Sequence, residues 1–140
     1  MIQLQKLVHG EPNWDVKVND VIESLNNMGG VTPSDVSDEG LVWLNGARNG
    51  QATWYRTTPI GGGHKIVELA FEVTGISANA WESKDFLRIP DNIKTTGGAI
   101  QVSQGAHYVT LNGTTLSIVS GDNDGLKDNS STYGRFMYIS

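Results

Sequence analysis

Lys65-Ile66-Val67-Glu68-Leu69-Ala70-Phe71-Glu72-Val73-Thr74-Gly75 is the stretch that decides the fold. Val67, Leu69, Phe71 and Val73 alternate with Glu68, Ala70, Glu72 and Thr74, the longest strict period-two pattern in the chain. Successive side chains of a strand point to opposite faces, so this alternation puts bulky apolar groups on one side and mostly polar groups on the other. It predicts a half-buried antiparallel strand at the centre of the core. Gly61-Gly62-Gly63 before it and Gly75 at its end set its limits. Glu68 and Glu72 share the outer face at roughly 13 Å along the strand, too far apart for the paired carboxylates of a glycosidase.

From Leu41 onward nearly every segment reads as strand or turn. Leu41 to Leu44, Thr53 to Ile60, Phe86 to Ile89, Ala99 to Ser103, His107 to Leu111 and Thr114 to Ser120 are β-prone. Asn45-Gly46, Asn49-Gly50 and Pro90-Asp91-Asn92 mark turns, and Asn112-Gly113 predicts a hairpin of type I′. Gly121 to Thr132 is a long polar loop, and Tyr133 to Ile139 is a nearly continuous apolar strand, as if buried on both sides or against a neighbouring subunit. So many short strands at this spacing predict a mainly β protein, a β-sandwich with jelly-roll-like character, over residues 41–140. Within it Trp43, set in an apolar run, belongs to the core.

Toward the N-terminus, Ile2 and Leu4 suggest an extended arm, and Pro12-Asn13 offers a helix start. Trp14, Val18, Val21, Leu25 and Met28 then follow at spacings of four and three, ending at Gly29-Gly30. The stripe reads either as a coiled-coil seam or as one amphipathic helix packed on its own domain. Residues 1–30 are thus an arm and short helical stalk. Residues 31–40, acidic and without periodicity, are a linker.

Composition narrows the function. The chain has 140 residues, with ten basic against fifteen acidic and a net charge of −5. Lacking a Lys/Arg cluster, it offers little to a phosphate backbone, and nucleic-acid binding is not expected. Its apolar runs fall far short of the ~20 residues of a membrane span, and no signal-peptide core opens the chain, so no membrane insertion is expected. There is no cysteine, hence no disulfide framework and no thiolate metal site.

Catalytic patterns are weak. His9, His64 and His107 lie in separate segments without zinc-ligand spacing. Ser103 and His107 could join an Asp in a triad on paper, but no Gly-x-Ser-x-Gly elbow accompanies them. Neither an enzyme nor a cofactor is expected. Two constellations could bind. Asp122, Asp124 and Asp128 make a loop of oxygen ligands of the kind calcium prefers, though Ser120 and Ser131 stand where an EF-hand loop needs Asp and Glu, and a solvated turn is the alternative. Trp54, Tyr55, Trp81 and Tyr133 lie in or beside polar segments. Flat rings beside carboxylates and amides hold sugars by their apolar faces and hydroxyls; core or subunit packing is the other use of such rings.

Gly40-Leu41-Val42-Trp43-Leu44-Asn45-Gly46-Ala47, Tyr55-Arg56-Thr57, Lys65-Ile66-Val67-Glu68-Leu69 and Val73-Thr74-Gly75-Ile76, in that order, resemble the C-terminal heads of tail-fibre and baseplate receptor-binding proteins of tailed bacteriophages and prophages. Phe86-Leu87-Arg88-Ile89-Pro90 and Leu111-Asn112-Gly113-Thr114-Thr115-Leu116-Ser117-Ile118 resemble later segments of such heads, and Leu7 to Asp15 looks like the opening of a phage tail protein. These are scaffold motifs, speaking to fold and assembly more than to ligand chemistry. The resemblance implies a homotrimer with Trp14, Val18, Val21, Leu25 and Met28 at the three-fold seam. It implies a virion component, at the tail tip or baseplate and made in the host cytoplasm, that contacts other tail proteins. Its function would be adsorption to a host cell-wall saccharide, often of Gram-positive type, and Trp54, Trp81, Asp122, Asp124 and Tyr133 are the residues expected to hold the sugar. The alternative is a structural adaptor of the tail with no saccharide binding. The short stalk departs from the family's pattern.

Overall fold

The computed structural model describes Val16, residues 18–21, Glu23 and residues 32–140. The strand predicted at Lys65–Gly75 is β4 (His64–Thr74), and it is the centre of one sheet. Along one of its edges lie β2 (Arg48–Asn49) and β3 (Trp54–Gly61), and along the other β9 (Thr132–Ile139). Ala70 pairs with both Trp54 and Arg135, and Val73 with both Asn49 and Thr132, which places β2 and β3 end to end opposite β9. The second sheet runs β1 (Val42–Trp43), β5 (Ser83–Arg88), β8 (Thr115–Ser120), β7 (His107–Asn112), β6 (Ile100–Gln104), all antiparallel. Its β5-β8-β7-β6 order is a Greek key. The protein is a β-sandwich.

The core lies where the alternation of β4 put it. Val67, Leu69, Phe71 and Val73 are buried against Phe86, Val109, Leu111, Leu116 and Ile118 of the facing sheet. Phe71 lies 5.6 Å from Phe86 and 5.8 Å from Phe136, ring centroid to centroid. Gly134 makes that arrangement possible, since a Cβ there would stand 2.7 Å from the Phe71 ring. A register shift between Asp85 and Leu87 lets the consecutive Phe86 and Leu87 both be buried. Trp43 is partly buried and packs on the same core. Tyr138, half-buried on β9, donates its hydroxyl to the Ile93 carbonyl at 2.5 Å, and burial pushes its pKa up.

Several expectations change in detail. The hairpin between β7 and β8 turns on Gly113-Thr114, because Asn112 still pairs with Thr115. Of the two turn residues only Gly113 has positive φ, at 58°, which is the type II′ pattern and not type I′. The terminal strand β9 is buried on one face only. Phe136 is in the core, while Met137 and Ile139 are 66% and 57% exposed. The edge of β3 is covered by residues 34–37, through bonds of Ser34 N to the Thr57 carbonyl and of Ser37 and Tyr55 to each other, all at 2.8 Å. At the N-terminus, Val16, residues 18–21 and Glu23 are helical. Val18 and Val21 are half-buried; Trp14, Leu25 and Met28 lie outside the described residues.

Candidate functional site

The strand registers gather the long loops at one end of the sandwich. Residues 75–82 leave β4 where it pairs with the start of β9 and enter β5 opposite the end of β8. Residues 121–131 run from that end of β8 to the start of β9. The two loops are tied together by Ala78 N to the Leu126 carbonyl at 3.1 Å, by Leu126 N to the Ala78 carbonyl at 2.8 Å, and by Gly75 N to the Asp128 carbonyl at 3.0 Å. Buried Leu126 anchors the longer loop to the core.

Between them lies an open cleft of about 550 Å³, lined by Ser77, Asn79, Glu82, Lys84, Asn123 and Asp124 among others. Its walls are internally braced: Lys84 Nζ donates to the Ser77 carbonyl at 2.6 Å, and Glu82 Oε2 accepts the Asn79 N–H at 2.8 Å. Asp122 Oδ1 accepts from Ser120 Oγ at 2.8 Å and from the Asp124 N–H at 3.1 Å. The Ser120 bond, more than any other partner, holds the Asp122 carboxyl below its ordinary pKa. Asp122 therefore shapes the loop, and Asp124 and Glu82 are the carboxylates that line the cleft.

Trp81 stands in the chain between the lining residues Ala80 and Glu82. It occupies the third position of a turn closed by Glu82 N to the Asn79 carbonyl at 3.1 Å, and its own N–H is fixed to the Ser120 carbonyl at 2.9 Å. Its φ is +63°, a left-handed conformation unfavourable to bulky residues, yet its ring is 62% exposed. The two backbone hydrogen bonds hold Trp81 in this conformation with most of its surface in water.

The remaining expected residues meet elsewhere. Trp54 and Tyr133 line a separate hollow of about 330 Å³ with Arg135 and Gln104, sharing no lining residue with the Trp81 cleft. The guanidinium carbons of Arg135 and Arg56 lie 5.3 and 5.8 Å from the Trp54 ring centroid. Arg56 pairs with Glu68, and that hydrogen bond is the main reason the Glu68 carboxyl titrates below its usual range. Tyr55 is no surface ring: it packs on the core and donates its hydroxyl to the Glu39 carbonyl at 3.0 Å. Among the described residues no group of three or more His, Asp or Glu side chains is placed to hold a metal ion.

The five expected sugar-binding residues thus divide into two places, Trp81 with Asp122 and Asp124, and Trp54 with Tyr133. Sequence reasoning missed Asn79 and Asn123, which offered only polar character in loops, and Lys84, at the start of β5 where the strand carries no apolar residue. It also missed Arg135, whose outward position follows from alternation with Phe136. Comparison with protein-family models, with curated proteins and with solved structures finds no match.

Proposed function

We propose that this sandwich is a non-enzymatic receptor-binding head of a phage or prophage tail, which adsorbs to host cell-surface saccharide as a homotrimer. The observation that carries the saccharide part is Trp81, an exposed residue whose backbone is held at φ +63° and whose chain neighbours Ala80 and Glu82 line a cleft of hydroxyl, amide, ammonium and carboxylate groups. A pyranose presents an apolar ring face and a rim of hydroxyls, and such a pairing of ring and polar groups is complementary to both. Open, shallow sites suit an adsorption protein. Each site contributes weak affinity, and three linked sites gain on the order of 10²–10⁴ in avidity when the geometry permits. The tail context and the trimer rest on the sequence resemblance, and the half-buried Val18 and Val21 of the helical segment are compatible with a seam.

The test is binding of the protein to isolated Gram-positive cell walls and to a glycan array. Saturable binding that is lost in Trp81→Ala and weakened in Asp124→Asn is the expected result. One observation favours the adaptor alternative: Met137 and Ile139 on β9 form an exposed apolar pair suited to another tail protein. A parent protein that ignores every wall and glycan but is retained by tail proteins would establish the adaptor.

A further inference from the structure

The hollow at Trp54 differs in chemistry from the Trp81 cleft. Its position follows from the sheet register. Trp54 of β3 and Arg135 of β9 flank Ala70 of β4 on the outer face, and Tyr133 stands two residues before Arg135 on that same face. Ala70 is small enough to leave a depression between them of about 330 Å³. Gln104, the last residue of β6, adds an amide to its wall.

Four charges surround this depression or adjoin it. Arg56 and Glu68 pair with each other. Glu72 Oε1 accepts the Ser131 hydroxyl at 3.0 Å. Arg135 has no carboxylate within 4.0 Å among the described residues. Its guanidinium lies over the Trp54 ring, 5.3 Å away, and acts on the Glu68 carboxylate only at longer range, as a minor contribution to its lowered pKa. An arginine stacked on an indole keeps its planar fork of N–H donors available at the edge, and that fork matches a carboxylate. Tyr133, 60% exposed, offers a ring face beside it.

We infer that this hollow is a second binding site, specific for a carboxylate-bearing sugar of the hexuronate type, with Arg135 forking the carboxylate, Tyr133 against the ring and Gln104 toward a hydroxyl. The inference deepens the saccharide-binding proposal and rests on it for the sugar part of the ligand. The charge balance selects a single negative charge. Arg56 is taken by Glu68 and Glu72 accepts the Ser131 hydroxyl, so Arg135 alone is left for one anionic group, while the nearby carboxylates oppose a dianionic phosphate. Trp54 is here a positioning residue, holding Arg135 in place.

The experiment follows the four tryptophan indole N–H resonances of the ¹⁵N-labelled protein, with those of Trp54 and Trp81 assigned through Trp54→Phe and Trp81→Phe. Glucuronate, glucose and glucose 6-phosphate are titrated in turn. Glucuronate should shift the Trp54 resonance saturably, with an affinity on the order of ten-fold above glucose, the worth of one charge-assisted pair. Glucose 6-phosphate should bind more weakly than glucuronate. Arg135→Gln should reduce glucuronate to the level of glucose, and Arg135→Lys should restore only part of the difference, since an ammonium lacks the fork. Equal response to glucuronate and glucose in the parent protein, which needs no variant to fold, would overturn the inference, as would a Trp54 resonance that does not move. Tighter binding of glucose 6-phosphate would overturn the carboxylate assignment. If walls bind through Trp81 while Trp54 stays silent, this site fails and the saccharide proposal stands. If Trp54 responds to glucuronate while no wall or glycan is bound, the site stands and the adsorption proposal fails.

Discussion

At residue scale, Trp81 separates the demands of folding from those of binding. A side chain with a Cβ in the left-handed region costs about 1–2 kcal/mol, a cost glycine avoids. Trp81→Ala removes the ring but keeps the strain; Trp81→Gly removes both. Denaturant unfolding should find the glycine variant more stable than the alanine variant by about 1 kcal/mol, although glycine is ordinarily the destabilising choice. Equal stabilities would mean that the backbone is not held at positive φ. As an exposed aromatic Trp81 was legible in the sequence; its conformation was not, because positive φ is signalled by Gly or Asn and Ala80-Trp81 contains neither. Acid sensitivity belongs to this scale too. The carboxyls of Glu68 and Asp122, held by Arg56 and Ser120, titrate below their ordinary values of 4.5 and 3.8. Because the folded pKa values are the lower ones, the stability they contribute is complete above the ordinary values and is lost as pH falls through the lowered ones. The thermal midpoint should therefore decline below about pH 4.5, and Glu68→Gln should flatten part of that decline. An acid limb in Glu68→Gln parallel to the parent's would show that the pair with Arg56 adds no stability.

At the scale of the element, β4 and β9 make a matched pair of cases. β4 was legible because its outward residues are mostly polar, so alternation shows directly. β9 was not, because Phe136-Met137-Tyr138-Ile139 is apolar at every position, and only the pairing of Phe136 with Leu69 reveals which face is inward. Neighbouring residues should therefore behave differently: Phe136→Ala should cost about 3–5 kcal/mol and Met137→Ala no more than about 0.5, measured by urea unfolding at a protein concentration low enough to disfavour association. Leu69→Ala in β4 should cost about 2–5 kcal/mol. A large loss at Met137 would place that face in a subunit interface. The start of β5 was missed for a related reason, since Ser83-Lys84-Asp85 carries no apolar residue and is a strand only through its pairing with β8. The hydrogen bonds of residues 34–37 along β3 were equally hidden, because backbone bonding leaves no mark on an acidic, aperiodic segment.

At the scale of the whole molecule, a sandwich with a loop-rich end meets a proposed three-fold assembly. Val21→Asp would bring three carboxylates together at an apolar seam and should dissociate the trimer. Light scattering that finds a 15.1 kDa species for the parent at micromolar concentration would end the trimer proposal. The long polar loop at Gly121 to Thr132 was legible as an aperiodic stretch; that residues 75–82 meet it at one end was not, because only the strand registers bring the two together. Nor was it legible which rings meet which carboxylates, because Trp54 and Arg135 become neighbours only through Ala70. The claim on which most depends is that Trp81 is held exposed in order to bind sugar. The most direct measurement is adsorption of the parent and Trp81→Gly to the same isolated cell walls, read beside their oligomeric mass and thermal midpoint. The account predicts that the glycine variant keeps its mass, keeps or raises its midpoint and loses at least ten-fold in adsorption, about 1.4 kcal/mol; equal adsorption by both proteins would contradict it.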